Sequence, residues 1–248
     1  VVLKDKILSA LIESFGGKFY EIIIGGAALN KEVETFLKKI GFPYTVGYGM
    51  TECGPIIGYE DWSKHKLGSC GKAAPRMEVK IDSPDETKIV GEILVRGANV
   101  MMGYYKNEEA TNAVLKDGWL RTGDLGLKDK YGNIYIKGRS KNMILGPSGQ
   151  NIYPEEIEDI LNSLEYVNES LVIEDNGKLT ALVYLDQDRL DSKQINSKDY
   201  PNILEQMRQQ ANSQLANYEQ ISAIYIHEEE FEKTPKRSIK RYLYTTKR

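Results

Sequence analysis

Five short segments of this sequence carry side chains that could do chemistry, and they follow one another in a set order. The first, Gly25-Gly26-Ala27-Ala28-Leu29, lets backbone approach a ligand and could serve a nucleotide. A plain strand-to-helix turn fits it too, and a glycine pair says far less than a full GxGxxG. The second, Tyr48-Gly49-Met50-Thr51-Glu52, puts a phenol, a hydroxyl and a carboxylate within five residues; a loop with a solvated Glu is its plain alternative. The third is Gly91-Glu92 with Arg96-Gly97. The fourth is Trp119-Leu120-Arg121-Thr122-Gly123-Asp124, readable alone as a β-turn whose Asp bonds its own backbone. The fifth begins Gly138-Arg139-Ser140-Lys141, alone an ordinary basic linker, and runs through Gly149 to Pro154-Glu155-Glu156-Ile157-Glu158.

Composition removes several other chemistries. His65 and His227 are the only histidines, and neither sits beside a GxSxG elbow, so a Ser-His-Asp hydrolase is hard to build. Cys53 and Cys70 are too few for a disulfide framework and form no CxxC, which reads as a reducing cytoplasm, and both histidines are far from any paired Cys, which argues against zinc. Nothing beside Cys53 in sequence suggests an activated thiolate. A net charge of −3 gives no global basic field for nucleic acid or an acidic membrane. No apolar run approaches the roughly 20 residues that span a bilayer. The chain lacks an initiator Met and opens with Leu3, Ile7, Leu8 and Leu11 at helical spacing, which predicts a piece of a longer protein that starts in mid-helix.

The elements that must position the five segments are legible in outline. With 248 residues, 41% of them hydrophobic, the chain can bury at least one real core. Ile22-Ile23-Ile24, ended by Gly25 and Gly26, suits a strand buried on both faces, as in a parallel sheet. Residues 31–40 carry Val33, Phe36, Leu37 and Ile40 on one helical face, and residues 44–47 read as the next strand. From about residue 68 the texture changes: Met77 to Ile81, Glu92 to Arg96 and Ile134 to Ile136 alternate between Gly-rich turns, which predicts a small antiparallel sheet or barrel. Pro154 and the acids after it start a helix with Ile157, Ile160, Leu161 and Leu164 on one face. Asp175-Asn176-Gly177 marks a hairpin, and a helix near 201–216 and a strand near 221–227 complete a small α+β domain. The fold class is therefore α/β and α+β, with residues 1–137 the C-terminal portion of a large domain and 138–248 a small one. Trp62 and Trp119 read as packing anchors, and Glu228-Glu229-Glu230 as a solvated loop.

Taken together, five motifs in order over nearly the whole chain resemble the adenylate-forming superfamily of acyl-CoA synthetases, luciferases and peptide-synthetase adenylation domains. The run from Gly146 to Glu156 (GPSGQNIYPEE) looks most like the long-chain fatty-acid branch. The resemblance implies a fatty acid–CoA ligase that joins a carboxylate to ATP as acyl-AMP and passes it to coenzyme A, releasing AMP and pyrophosphate. It implies that Gly26, Ala27 and Ala28 shape the adenine pocket and that Tyr48 packs against adenine. Gly47 and Gly49 would set bare backbone beside the acyl carboxylate. Thr51 would hydrogen-bond the α-phosphate and Glu52 would hold Mg2+. Asp124 would accept from both ribose hydroxyls, and Arg139 would be the forked donor to ribose or phosphate. Lys141 matches the hinge about which the small domain rotates, and Gly149 matches the glycine lining the thiol tunnel.

Two departures stand beside the match. The Ser/Thr/Gly-rich phosphate loop ending in Lys does not occur in these residues, so by themselves they are expected not to make acyl-adenylate, and the N-terminal part of the large domain is an expected partner. Near the C-terminus, Ser238 stands where relatives carry a catalytic lysine; Lys236 or Lys240 are the candidate substitutes, with surface basics the plain alternative. The tail ending Lys247-Arg248 could meet CoA phosphates or be merely solvated. A fatty-acyl-AMP ligase that loads a carrier protein, and a non-catalytic binding module descended from the family, are the alternatives.

Overall fold

The computed structural model describes residues 2–235 and 237–245, which fall into two compact units, Val1–Ser140 and Lys141–Arg248. Each has its own apolar core.

In the first unit, α1 (Val2–Ser14) precedes β1 (Ile22–Ile24), α2 (Lys31–Ile40) and β2 (Tyr44–Val46), and β1 and β2 pair in parallel. Then β3 (Tyr48–Gly49), β4 (Ile56–Tyr59) and β5 (Lys72–Ala73) form a second small sheet. The rest is an antiparallel sheet of β6 (Met77–Asp82), β7 (Gly91–Gly97), β8 (Leu115–Lys116), β9 (Trp119–Lys128) and β10 (Ile134–Arg139), with α3 (Glu108–Val114) before β8. Its order is β10-β9-β7-β6, with β8 on β9. Bulges at Glu92/Leu94 and Ile136/Gly138 curve it into a half-barrel. Met77, Val79 and Ile81 alternate inward from β6, as their spacing predicts. Trp119 on β9 is a packing anchor of an unusual kind: Lys80 and Arg96 lie 4.2 and 4.7 Å from its ring centroid.

In the second unit, β11 (Ile144–Leu145) pairs with β12 (Asn151–Ile152), and α4 (Pro154–Asn162) packs on β13 (Val167–Asp175), which pairs with β14 (Lys178–Leu185). After α5 (Gln187–Ser192) and α6 (Tyr200–Asn212), β15 (Ala223–Ile226) joins β14 in parallel. The β13–β14 turn is the hairpin predicted from Asp175-Asn176-Gly177; Asn176 and Gly177 take the positive φ values, 51° and 75°, that such a turn demands.

Three face assignments differ from the sequence reading. Ile23 is 54% exposed, because among the described residues β1 pairs only with β2 and that side chain is left largely uncovered. In α1, Leu8 and Leu11 pack on the core with Ile12, whereas Leu3 is 71% exposed. On α2, Val33 and Phe36 are exposed and the buried stripe is Glu34-Leu37-Ile40.

A carboxylate can occupy that stripe because its acceptors are met. Glu34 lies 2.9 Å from His65 Nε2 and accepts the Gly68 N–H on both oxygens at 3.0 Å. His65 is itself buried, its ring edge-on to Tyr44. Removing one partner of a buried pair leaves the other uncompensated, at a cost of about 3 kcal/mol. His65→Ala is therefore expected to lower the stability of the first unit by about that much. Replacing Glu34 and His65 together by Leu should cost less than His65→Ala alone. Thermal unfolding of the two variants against the unaltered protein decides this; equal losses for the single and the double variant would refute the pairing.

Candidate active site

Of the predicted site residues, Tyr48, Asp124 and Arg139 meet directly. They come from three strands, and the sheet register explains how. β10 runs antiparallel to β9 with Arg139 opposite Asp124, and β3 brings Tyr48 to the same carboxylate. The Tyr48 hydroxyl donates to Asp124 Oδ2 at 2.6 Å, and Arg139 Nε stands 2.9 Å from Oδ1. Arg139 Nη1 also donates to the Thr122 carbonyl at 3.1 Å. Burial, and then the charge of Asp124, raise the Tyr48 phenol far above its ordinary value, so it remains a proton donor. Asp124 is 7% exposed, whereas the Arg139 side chain is about half exposed. The result is a buried carboxylate held from two sides beside a guanidinium that reaches solvent.

The stretch of β9 just before Asp124 is pinned separately. The Thr122 hydroxyl donates to the Ile93 carbonyl at 2.8 Å and accepts the Asp124 N–H at 3.0 Å. Gly123 takes φ 72°, where a side chain would be strained, and its N–H donates to Glu92 Oε1 at 3.0 Å. The other Glu92 oxygen is held by Arg121, which also reaches Asp82 at 3.3 Å. The Gly91-Glu92 motif thus serves the Asp124 motif through a hydrogen bond; its sequence signature carried no sign of that role.

Thr51 and Glu52 sit in a short 3-10 turn, Thr51–Cys53, which follows β3. Thr51 is exposed and Glu52 half-buried, and the Tyr104 hydroxyl donates to Glu52 Oε1 at 3.0 Å. Tyr104 was not among the sequence candidates; it lies in an exposed loop 52 positions away and no spacing links the two. Gly49 is required by packing: a Cβ there would lie 2.2 Å from the Pro55 carbonyl oxygen. The Gly25–Leu29 loop is brought alongside by the β1–β2 pairing, since the Gly47 N–H donates to Ile24 O at 2.8 Å and a Cβ on Gly25 would meet Gly47 O at 3.1 Å. Gly26, with φ 90°, Ala27 and Ala28 are exposed. Cys53 is fully buried, and burial pushes its thiol up to about 11, which keeps it protonated and inert. No group of three or more His, Cys, Asp or Glu among the described residues could hold a metal, so a cation here would need oxygens from its own substrate.

In the second unit, Lys141 is exposed in the turn Ser140–Asn142. Gly149 lies in an exposed turn closed by the Gly149 N–H donating to Gly146 O at 2.9 Å, and a Cβ on it would meet nothing within 4 Å. Ser238 is exposed in a hairpin whose strands meet at Lys233 and Ile239. The ammonium of Lys240 is 3.2 Å from Glu232 Oε2, so it is already committed to a carboxylate. Lys236, the other candidate substitute, and Lys247-Arg248 lie outside the described residues.

The acids of the fifth motif have a structural task. Glu155 Oε1 accepts from Asn142 Nδ2 at 2.6 Å. Glu158 is buried, accepts the Val172 N–H at 2.7 Å and pairs with Arg241. Burial pushes the Glu158 carboxyl up to about 7, against the pull of Arg241. An acid whose folded pKa lies above its ordinary value loses stabilisation as pH rises through the interval, here from 4.5 to about 7. Arg241→Ala removes a group that lowers this pKa, so its penalty should grow with pH. We expect a loss of about 3 kcal/mol at pH 8 and distinctly less at pH 5. Urea unfolding at the two pH values measures it; a pH-independent loss would show that Arg241 acts by packing alone.

With this geometry in hand, comparison with known proteins adds the following. Residues 5–105 match the family model for AMP-binding enzymes, and residues 141–247 match that for the C-terminal domain of AMP-binding enzymes. A long-chain-fatty-acid–CoA ligase of Mycobacterium bovis is 33% identical over 187 residues, 75% of this chain and 30% of that protein. An indoleacetate–CoA ligase of Aromatoleum aromaticum is 43% identical over 158 residues, 61% of this chain and 31% of that protein. Among solved structures, the O-succinylbenzoate coenzyme A synthetase of Bacillus subtilis in complex with AMP superposes with a TM-score of 0.77 at 28% identity. That match covers 98% of this chain and 50% of that one. The chain thus matches less than a third of the length of the two ligases and half of that synthetase.

Proposed function

The chain belongs to the family of AMP-binding enzymes, and from that footing we propose that it is the C-terminal part of an ATP-dependent acid–thiol ligase acting on fatty acids. In the reaction proposed, a carboxylate oxygen of the acid attacks the α-phosphorus of ATP. The bond from that phosphorus to pyrophosphate breaks and an acyl-adenylate forms. The sulfur of coenzyme A, giving up its proton, then attacks the acyl carbon and AMP leaves.

The observation that carries the reading is the held Asp124 carboxylate. An ionised carboxylate accepts only, with room for two bonds at each oxygen, so an oxygen already bonded to Tyr48 or Arg139 can still take a ribose hydroxyl. Arg139, half exposed, offers its remaining N–H donors to ribose or phosphate. Thr51 and Glu52 supply a hydroxyl and a carboxylate, hard oxygen donors that fit Mg2+. A single protein carboxylate suffices for Mg2+ when substrate phosphates and water complete its shell. The ion would neutralise charge on the phosphates; the protein's part is to orient them. For the second unit, we assign Lys141 the hinge and Gly149 the wall of the thiol passage, in keeping with its exposed turn and the open space beside it.

A fatty acid is favoured because the run from Gly146 to Glu156 looks like that branch and the Mycobacterium bovis relative is named for it. An aryl-acetic acid is the second reading, favoured by the 43% identity to the indoleacetate ligase.

Incubation of the full-length protein with ATP, Mg2+, coenzyme A and a panel of carboxylic acids, read by mass spectrometry, tests the proposal. Acyl-CoA with AMP is the expected product. Acyl-adenylate without thioester would point to a carrier protein as acceptor, and no product from any acid would refute the ligase. The 248 residues alone are expected to release no pyrophosphate. In the full-length protein, Ser238→Lys should speed pyrophosphate release by about 10-fold or more, since it restores a full charge near the leaving phosphate. An unchanged rate would mean that another cation already serves.

A further inference from the structure

The turn that carries Thr51 and Glu52 is held by a strap of chain, residues 99–104, that none of the recognised motifs includes. Asn99 Nδ2 donates to the Cys53 carbonyl at 2.6 Å and to the Ile56 carbonyl at 3.0 Å. The Met101 N–H donates to the Glu52 carbonyl at 2.7 Å. The strap ends at Tyr104, whose hydroxyl donates to Glu52 Oε1 at 3.0 Å. Tyr104 is fixed in turn: its N–H donates to Thr111 Oγ1 at 2.9 Å and its carbonyl accepts the Asn107 N–H at 3.1 Å; Asn107 caps α3 and Thr111 lies within it.

We propose that Tyr104 is a positioning residue that presents the Glu52 carboxylate to the cation of a metal–nucleotide complex. The inference rests on the ligase reading given above, in which Glu52 meets Mg2+. Three features argue that the hydroxyl serves the carboxylate and not the core. Tyr104 is 37% exposed, so its ring contributes little to packing. Its neighbour Tyr105 is 88% exposed, so the local sequence does not select for buried aromatics. And a neutral phenol donating to one oxygen fixes the rotation of a carboxylate without adding a competing positive charge. Partners of this kind, one bond removed from a cation, typically change its affinity 10–100-fold when lost.

The test uses the full-length protein with Mn2+ as the probe and a non-hydrolysable ATP analogue, because the electron paramagnetic resonance signal of free Mn2+ reports binding without turnover. Tyr104→Phe should raise the dissociation constant of Mn2+ in the ternary complex about 10-fold, with the melting temperature and the KM for the carboxylic acid unchanged. Tyr105→Phe should bind as wild type does. Affinity within about twofold of wild type for Tyr104→Phe overturns the inference, the expected loss being at least 10-fold. Weakened binding that tracks a fall in melting temperature would overturn it too, by showing a structural role. Failure of the wild-type protein itself to bind Mn2+ with the analogue would instead overturn the ligase reading, and this inference with it.

Discussion

A buried carboxylate is the constraint around which the first unit is arranged. Asp124 is 7% exposed, and an unpaired charge at such a site would cost several kcal/mol. The fold meets that cost with donors from two other strands, Tyr48 on β3 and Arg139 at the end of β10. Both donors depend on register. A one-residue slip of β10 against β9 would send Arg139 to the opposite face, and the bulge at Ile136/Gly138 helps fix which residue faces Asp124. The positive φ of Gly123, its N–H on Glu92 and the Thr122 hydroxyl on Ile93 then settle how the carboxylate is aimed. Conformation, register and charge compensation are therefore one problem solved jointly, and the carboxylate so held is an acceptor ready for paired hydroxyls.

How much of this could be read beforehand depends on the distance along the chain over which the deciding contact acts. The β13–β14 hairpin was legible because its turn is decided by Asn176 and Gly177 alone. The α2 cap was local too: Asn30 accepts from the Glu32 and Val33 N–H groups, and Gly41 closes the helix in a left-handed conformation. Residue types and their order pointed to Tyr48, Asp124 and Arg139 as a set, but nothing in their spacing said that Tyr48 would bond Asp124 across 76 positions. Glu34 with His65, 31 apart, and Glu52 with Tyr104, 52 apart, were illegible for the same reason. The misjudged faces have the complementary cause. Periodicity marks where apolar residues recur, not what covers them, so Ile23, Val33 and Phe36 were expected to be buried and are exposed.

The second unit shows how a motif can be structural at one end of the chain and bear on chemistry at the other. Glu158 is part of a recognised signature, yet it serves to tie α4, β13 and the C-terminal hairpin together through Val172 and Arg241. The basic residues that flank Ser238 are largely committed in the same way. Lys233 pairs with Glu169 and Glu230, Lys240 with Glu232, and Arg241 with Glu158. Three of the described basic residues around Ser238 thus already have their charge answered by carboxylates of this unit.

Metal affinity raises the corresponding question in the first unit. Among the described residues no cluster of three acidic, His or Cys groups could cage a divalent cation. Under the ligase reading proposed above, affinity for the cation would come from substrate oxygens together with the Glu52 carboxylate. A single ligand that can rotate spreads its lone pairs over many directions, and ordering it on binding costs side-chain entropy of about 1 kcal/mol. A ligand ordered in advance avoids that cost, and it favours a complex whose cation arrives where the carboxylate already points. The hydrogen bonds from Asn99, Met101 and Tyr104 to the Thr51–Cys53 turn and to Ile56 beyond it supply such order. Under that reading one preset ligand is too few to hold the bare ion and enough to orient a metal–nucleotide complex, so the complex would be favoured over the metal alone.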